Sequence, residues 1–392
     1  MVALFAIVRV PAVPARTIHA QEQFVTAQYK RALQVPQGTE AFYLEEAYRH
    51  RRLTAAMEER FLSWGYLPVQ TPSFDFYDVY TPLLREEDTR SIYRLIDREG
   101  DLLMLRSDVT LFLAKQMGLI LRPDDLPTRV FYADTILRHQ DPDDISKNEF
   151  FQIGAELIGR KGMEADAEII LLLSEILEAI AAPQYYVHLG CRRLFDATHA
   201  ASVSDAELRR ARRAVRLREW GRLRESLERA GYGSQAARDR VRLYSFIGSA
   251  GELEEFLSGL SQPLTEGELD AVGEIRELYL LLSELGLADR IRIDFSEIGN
   301  QPYHTGVAFQ VYMDGLDSAV AAGGRYDGLL SVFGLDAPSV GFSVMLRKLQ
   351  DRLGRDHHMS DVPPAERAPG EGFKDRVEAA RKMRAEGKTV IL

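Results

Sequence analysis

The stretch from Phe131 to Ile158 restricts the fold more than any other part of the chain. It is β-branched and aromatic from Phe131 to Arg138, polar with one proline from His139 to Asn148, and apolar again from Glu149 to Ile158. That alternation predicts an antiparallel pair of strands with a long connection. Gln152 and Glu156 are four apart in the second strand, and even spacing puts side chains on one face. An amide and a carboxylate looking the same way suit the ammonium and polar side chain of an amino acid. Taken alone, they also suit two polar positions on an exposed strand.

Composition bounds what this pair can belong to. A chain of 392 residues with 46% hydrophobic content can bury a large core and holds about two or three structural units. The net charge of −10 and pI near 5.5 argue against a surface built to neutralise a nucleic-acid backbone, which calls for a pI above about 9. Cys191 is the single cysteine, so it forms no internal disulfide or multi-thiolate metal site, and it reads as packing in a reducing compartment. No Lys or Arg precedes the apolar run at the N-terminus, Arg9 cuts it, and Pro11 and Pro14 follow. Residues 1–35 therefore read as a loose extension, or the product of a start codon placed too early, rather than a leader. The apolar segment from Ile169 to Ile180 carries Glu175 and Glu178 and reads as a packed helix, leaving no membrane candidate.

Further along, a helix is expected from about Leu44 to Trp64, with Leu53, Met57 and Phe61 on its buried side and Gly65 as its left-handed cap. One short strand is expected over Leu67 to Asp75, at an edge or a bend because of Pro68 and Pro72. A hairpin is expected around Arg98-Glu99-Gly100-Asp101, and then a helix opened by Ser107-Asp108-Val109-Thr110 that runs to about Gln116. Asp108 can cap that helix. From Asp205 to Asp289 the chain reads as helical and charged, with Leu208, Leu217, Leu223 and Leu227 among eight arginines from Arg209 to Arg224. Glu207, Glu219, Glu225 and Glu228 share the segment, which favours a salt-bridged solvated face or an anionic partner surface over direct RNA binding. A polar linker follows, with His357-His358 giving only two ligands for a metal. Phe373 to Leu392 then reads as a short helix plus a strand start.

These ordered segments carry a resemblance. Leu105-Arg106-Ser107-Asp108-Val109-Thr110, Leu137-Arg138-His139-Gln140 and Phe150 to Glu156 resemble the catalytic core of histidyl-tRNA synthetase. Tyr303 to Phe309, Ala322 to Leu329 and Pro338 to Ser343 are similar to its later motifs, so the likeness covers roughly residues 36 to 350. It implies an α+β fold, a class II aminoacyl-tRNA synthetase-like core with a mainly antiparallel sheet flanked by helices and a helical insertion. The divisions expected are an extension at 1–35, the core at 36–200 and 288–353, the insertion at 201–287, and a linker with a truncated anticodon-domain remnant at 354–392. It also implies a histidine-binding set: Asp108 (where glutamate is usual), Thr110, Arg138, Gln152, Glu156, Tyr303, His304 and Tyr326.

The departures are as informative as the matches. The connection after Arg138 reads His139 to Asn148 with Gln140 in place of an acid and three carboxylates, Asp141, Asp143 and Asp144, against Lys147, a loop that repels a triphosphate. The arginine expected ahead of Tyr303 falls at Gly299, with nothing basic nearby in sequence, and the last motif ends in Arg347-Lys348 without its usual arginine. Each lost donor to a developing anion costs roughly 10² to 10³ in rate, so no catalytic residue and no cofactor is assigned. A synthetase-like chain with its amino acid pocket kept is similar to the regulatory subunits of short-form ATP phosphoribosyltransferase. That resemblance implies a cytoplasmic hetero-octamer with a short catalytic subunit, self-association as a dimer near Thr71 and Pro72, and L-histidine as a ligand. An active histidyl-tRNA synthetase and a stand-alone histidine sensor stay open as alternatives.

Overall fold

The computed structural model of the chain describes residues 36, 38–39, 41–139, 148–200, 204–354, 357 and 362–392. The expected N-terminal extension, the acidic loop at 140–147 and His358 lie outside them.

Helix α1 (Leu44–Ser63) begins with Glu45 and Glu46 against the positive end of its dipole. It ends where Gly65 takes φ +79° and Tyr66 and Gly65 donate their N–H groups to the carbonyls of Phe61 and Leu62. Leu53, Met57 and Phe61 are buried as their spacing predicts, and the Phe61 ring stacks on Phe131 at 5.0 Å. Truncating a buried phenylalanine of this kind costs about 3–5 kcal/mol. The segment expected as one strand is two. β1 (Leu67–Pro68) lies at the edge of the main sheet, whereas β2 (Phe74–Phe76) joins a separate sheet with β3 (Arg94–Ile96) and β4 (Leu102–Leu105), in the order β2-β4-β3. The split follows from Pro68 and Pro72, which cannot both sit in one ladder. Buried Arg106 holds the crossing, donating to the carbonyls of Thr71, Pro72 and Thr135 and pairing with Asp134 at 3.2 Å. β3 and β4 form the expected hairpin around Gly100, which has φ +96°.

Helix α2 (Val109–Ile120) is four residues longer than its sequence suggested. β5 (Thr128–Leu137) and β6 (Glu149–Ile158) pair antiparallel over all ten positions, and α3 (Met163–Ala179) follows. The remaining strands are β7 (Tyr185–Cys191), β8 (Ile247–Gly248), β9 (Ile291–Asp294), β10 (Val307–Met313), β11 (Ala321–Arg325) and β12 (Ser339–Met345). Among the described residues the main sheet has nine strands in the order β1-β5-β6-β12-β11-β10-β7-β9-β8. Only β1–β5 and β7–β9 are parallel. The architecture is therefore α+β with a mainly antiparallel sheet.

Strand periodicity sorts this sheet into two faces. Ile153, Ala155 and Leu157 point back into the large core with α1 and α3, as do Val340, Phe342 and Val344 of β12. Their neighbours Gln152, Glu156, Gly341, Ser343 and Met345 line a cavity on the opposite face.

Between β7 and β9 the chain runs through α4 (Arg192–Thr198), α5 (Asp205–Arg216), α6 (Trp220–Arg229), α7 (Ser234–Tyr244), α8 (Ala250–Ser258) and α9 (Glu266–Leu282). Ser204–Glu207, Ser249–Glu252 and Thr265–Glu268 form capping boxes at the starts of α5, α8 and α9. Arg240 of α7 and Glu268 of α9 form a buried pair at 2.8 Å, and Leu223 and Leu227 are buried with the main core. Leu217 is 52% exposed because it caps the end of α5 where the chain reverses. Arg222–Glu219 and Arg229–Glu207 are surface pairs, in line with a salt-bridged face. After α10 (Leu346–Leu353), the C-terminal piece is a small β-α-β unit: β13 (Glu366–Arg367), α11 (Phe373–Ala385) and β14 (Val390–Ile391), with the two strands parallel. β13 was not expected. No helix among the described residues is long and apolar enough to cross a membrane.

Candidate functional site

The front face of the sheet holds a cavity of about 460 Å³. All eight residues singled out from the sequence line it: Asp108, Thr110, Arg138, Gln152, Glu156, Tyr303, His304 and Tyr326. They come from five separate parts of the chain, and the sheet register brings them together.

Glu156 lies at the centre of the floor. Its two carboxyl oxygens accept hydrogen bonds from Thr110 Oγ1 at 2.7 Å and from the Tyr326 hydroxyl at 2.5 Å. Gly341 pairs with Glu156 across the ladder, and a Cβ there would fall 1.6 Å from Glu156 Oε2. Only glycine leaves room for this carboxyl group. Gly154 has the same role for Tyr132, whose hydroxyl oxygen would be 2.6 Å from an added Cβ. Burial pushes the Glu156 carboxyl up to about 8, with nearby Asp108 adding to the rise and the two hydroxyl donors opposing it.

Asp108 does both things its sequence position allows. Its Oδ1 accepts from the Leu111 N–H at 3.0 Å as the cap of α2, and its Oδ2 accepts from the Tyr303 hydroxyl at 3.0 Å. Burial raises its carboxyl above the usual range, against the pull of these donors and of Arg138. Arg138 also lies over the Phe150 ring, 5.1 Å from the centroid. His304 is pushed down to about 4 by burial and by Arg192, so its imidazole is neutral. Among the described residues its buried Nδ1 has no hydrogen-bond partner. A left-handed Gly299 packs directly against that ring, since a Cβ there would sit 2.5 Å from Nδ1. The cavity thus offers two buried carboxyl groups, an amide and hydroxyl groups. That set can hold an ammonium and a second small nitrogen-bearing group.

The motif cations are elsewhere. Arg347 pairs with Glu46 and Asp351, each at 2.9 Å, and Lys348 donates to Ser318 Oγ at 2.8 Å. Neither lines the cavity. The expected repulsion from Asp141, Asp143 and Asp144 falls outside the described residues.

Sequence reasoning missed four charged lining groups, Arg85, Asp88, Arg216 and Glu297. Arg85 lies beside the cavity with Nε and an Nη on the two oxygens of Asp88, both at 2.8 Å. Glu297 accepts from Gln310 and Tyr312 at 2.7 and 2.8 Å, and burial with Asp294 nearby pushes it up to about 7. Arg216, at the end of α5, also lines the cavity with Gly299. Nothing basic stands near Gly299 along the chain, yet Arg216 lines the same cavity. No local pattern links residues 216 and 299; only the fold does. The lining therefore sets four carboxyl groups, Asp88, Asp108, Glu156 and Glu297, against three arginines, Arg85, Arg138 and Arg216.

Among the described residues, His188, Asp294 and Glu297 cluster closely enough to hold a cation. Asp294 Oδ2 already lies 2.9 Å from both His188 Nδ1 and an Arg218 Nη. That guanidinium fills the place of a metal ion. Cys191 is buried, and burial pushes its thiol up to about 12, so it serves as packing.

Comparison with known proteins gives a consistent picture. The family model described as histidyl-tRNA synthetase matches residues 38–349. An ATP phosphoribosyltransferase regulatory subunit of Moorella thermoacetica is 30% identical over 92% of each chain, and one from Desulfitobacterium hafniense is 28% identical over 91% of each. A solved structure from Bacillus halodurans, described as an ATP phosphoribosyltransferase regulatory subunit/histidyl-tRNA synthetase, superposes with TM-score 0.78 at 27% identity over 92% of both chains. A Nostoc histidyl-tRNA synthetase superposes with TM-score 0.75 at 20% identity, covering 92% of this chain and 85% of its own, which bears on the fold alone.

Proposed function

We propose a sensing role for this chain, which belongs to the histidyl-tRNA synthetase family and, within it, to the ATP phosphoribosyltransferase regulatory subunits. It is a regulatory and not a catalytic subunit of that enzyme, and it serves histidine biosynthesis. In the proposal, the cavity binds free L-histidine and the bound state is passed to a short catalytic subunit, which carries the chemistry. The observation that carries it is the contrast inside one site. Glu156, Thr110 and Tyr326 form a satisfied acidic floor, whereas Arg347 and Lys348 are engaged with Glu46, Asp351 and Ser318 away from the cavity. An amino acid can be held there without being activated.

A coupling of about 1–3 kcal/mol between histidine and partner states suffices for feedback inhibition. The assembly proposed is a hetero-octamer in the cytoplasm, with this chain pairing as a dimer. Phe74, Phe76, Ile96 and Leu102 are exposed on the small sheet, and an apolar patch of this kind supports self-association. Thr71 itself is committed to Arg106 and Asp134, so the pairing surface would begin beyond it. The experiment mixes this protein with a short catalytic subunit and measures phosphoribosyl-ATP formation with and without it. Stimulation is expected, together with no histidine-dependent exchange of pyrophosphate into ATP by this protein alone. Absence of stimulation, or brisk exchange, would reject the reading.

A further inference from the structure

Glu156 and Asp108 are buried acids held by neutral groups. Among the described residues, Glu156 accepts from Thr110 Oγ1 at 2.7 Å and from the Tyr326 hydroxyl at 2.5 Å, and Asp108 from the Leu111 N–H and the Tyr303 hydroxyl, each at 3.0 Å. The Tyr303 and Tyr326 rings meet edge to face at 5.7 Å, so a pair of tyrosines joins the two acids. The other groups whose fields meet Glu156 are the hydroxyls of Tyr132 on β5 and of Tyr66 at the end of α1, the latter turned to Glu168 at 3.0 Å. Arg138, over the Phe150 ring, acts on Asp108. Glu156 is 1% exposed and forms no ion pair with a described residue. An ionised carboxyl group enclosed in this way has neither solvent nor a partner of opposite sign, and it keeps its proton instead.

We propose that an amino acid enters this cavity in exchange for a proton: the ammonium of the ligand supplies the missing positive charge, and Glu156 releases its proton to solvent. A neutral acid thereby becomes the carboxylate of an ion pair, and the ammonium keeps all its own protons. The hydroxyl partners allow both states with the same heavy-atom positions. Thr110 and Tyr326 both donate to the carboxylate, and when Glu156 is neutral one of them turns to accept its O–H. Gly341 closes on Glu156 Oε2, where an added Cβ would fall 1.6 Å away, so the carboxyl group stays in place through the exchange. The cost of the exchange is the work of removing the proton, about 10-fold in affinity for each pH unit below the point where Glu156 ionises in the empty site. Burial sets that point at about 8, so histidine affinity should rise about 5-fold between pH 7 and pH 8.

The inference rests on the proposed amino acid site, and the test separates the two. Histidine binding to the whole chain is measured by calorimetry at pH 7 in phosphate and in Tris, buffers whose heats of ionisation differ. The wild type is expected to release about one proton per histidine, read as a matching difference between the two observed heats, and its Kd should fall about 5-fold from pH 7 to pH 8. Glu156→Gln, shown to be folded by its thermal melt, retains whatever the ligand's own groups contribute and should lose the rest of the difference. The wild type should release no proton on binding 3-(imidazol-4-yl)propanoate, which has no ammonium. Histidine binding with equal heats in the two buffers overturns the inference, and so does a proton release that survives in Glu156→Gln or accompanies the ligand without an ammonium. If the wild type binds no histidine in either buffer, the amino acid site itself fails and takes this inference with it.

Discussion

Replacing Glu156 with glutamine should make the protein more stable above neutral pH and at the same time a poorer binder of histidine. Burial lifts the Glu156 carboxyl from 4.5 to about 8. Between those values the folded chain keeps a proton that the unfolded chain has released, so this group's contribution to stability falls as pH rises and levels off above about 8. Each unit in that window costs about 1.4 kcal/mol. The glutamine side chain copies the neutral acid: it can pair with Thr110 and Tyr326, whose hydroxyls reorient to donate or accept. Glu156→Gln should therefore gain about 2 kcal/mol on the wild type between pH 6 and pH 8. Urea denaturation at pH 6, 7 and 8, followed by fluorescence of Trp64 and Trp220, measures this directly. A stability difference that does not change with pH, or changes in the wild type's favour, would refute the claim that a buried acid here is held protonated. Histidine affinity of the variant, measured in parallel at pH 8, should fall by at least about 10-fold, because a carboxylate that could face a cationic ligand is gone.

Gly341→Ala places a methyl group on Glu156 Oε2 and close to the Ala155 carbonyl, and should cost about 1–3 kcal/mol in chemical denaturation together with most histidine binding. Arg240→Ala leaves Glu268 buried without its partner and should cost about 3–5 kcal/mol by the same assay, melting the helices between β7 and β9 first in amide exchange. Arg347→Ala loses half-exposed pairs with Glu46 and Asp351, so stability should change by no more than about 1 kcal/mol and histidine affinity should not move.

The parts of this architecture that sequence made legible are those with short-range causes. Gln152 and Glu156 share a face because strands repeat every two residues, and Asp108 caps α2 because its side chain reaches its own helix three residues on. The parts that stayed hidden depend on long-range register. That Gly341 faces Glu156 requires β12 to lie beside β6, which nothing within either segment states. Buried Arg106, which holds the crossing between β1 and β2, finds its partners more than 28 residues away. Arg347 and Lys348 read as members of a nucleotide motif, and only the packing of α10 against α1 and the loop bearing Ser318 turns them aside. Arg216 was counted among the solvated arginines of the insertion, yet at the end of α5 it lines the cavity.

The most direct test of the account titrates histidine into a complex of this chain with a short catalytic subunit while phosphoribosyl-ATP formation is followed, using wild-type chain and the Glu156→Gln variant in turn. Both complexes should be active, with the wild-type complex inhibited by histidine and the variant complex resistant over a concentration range at least about 10-fold wider. Equal inhibition of the two complexes would contradict the claim that this cavity is where histidine is sensed.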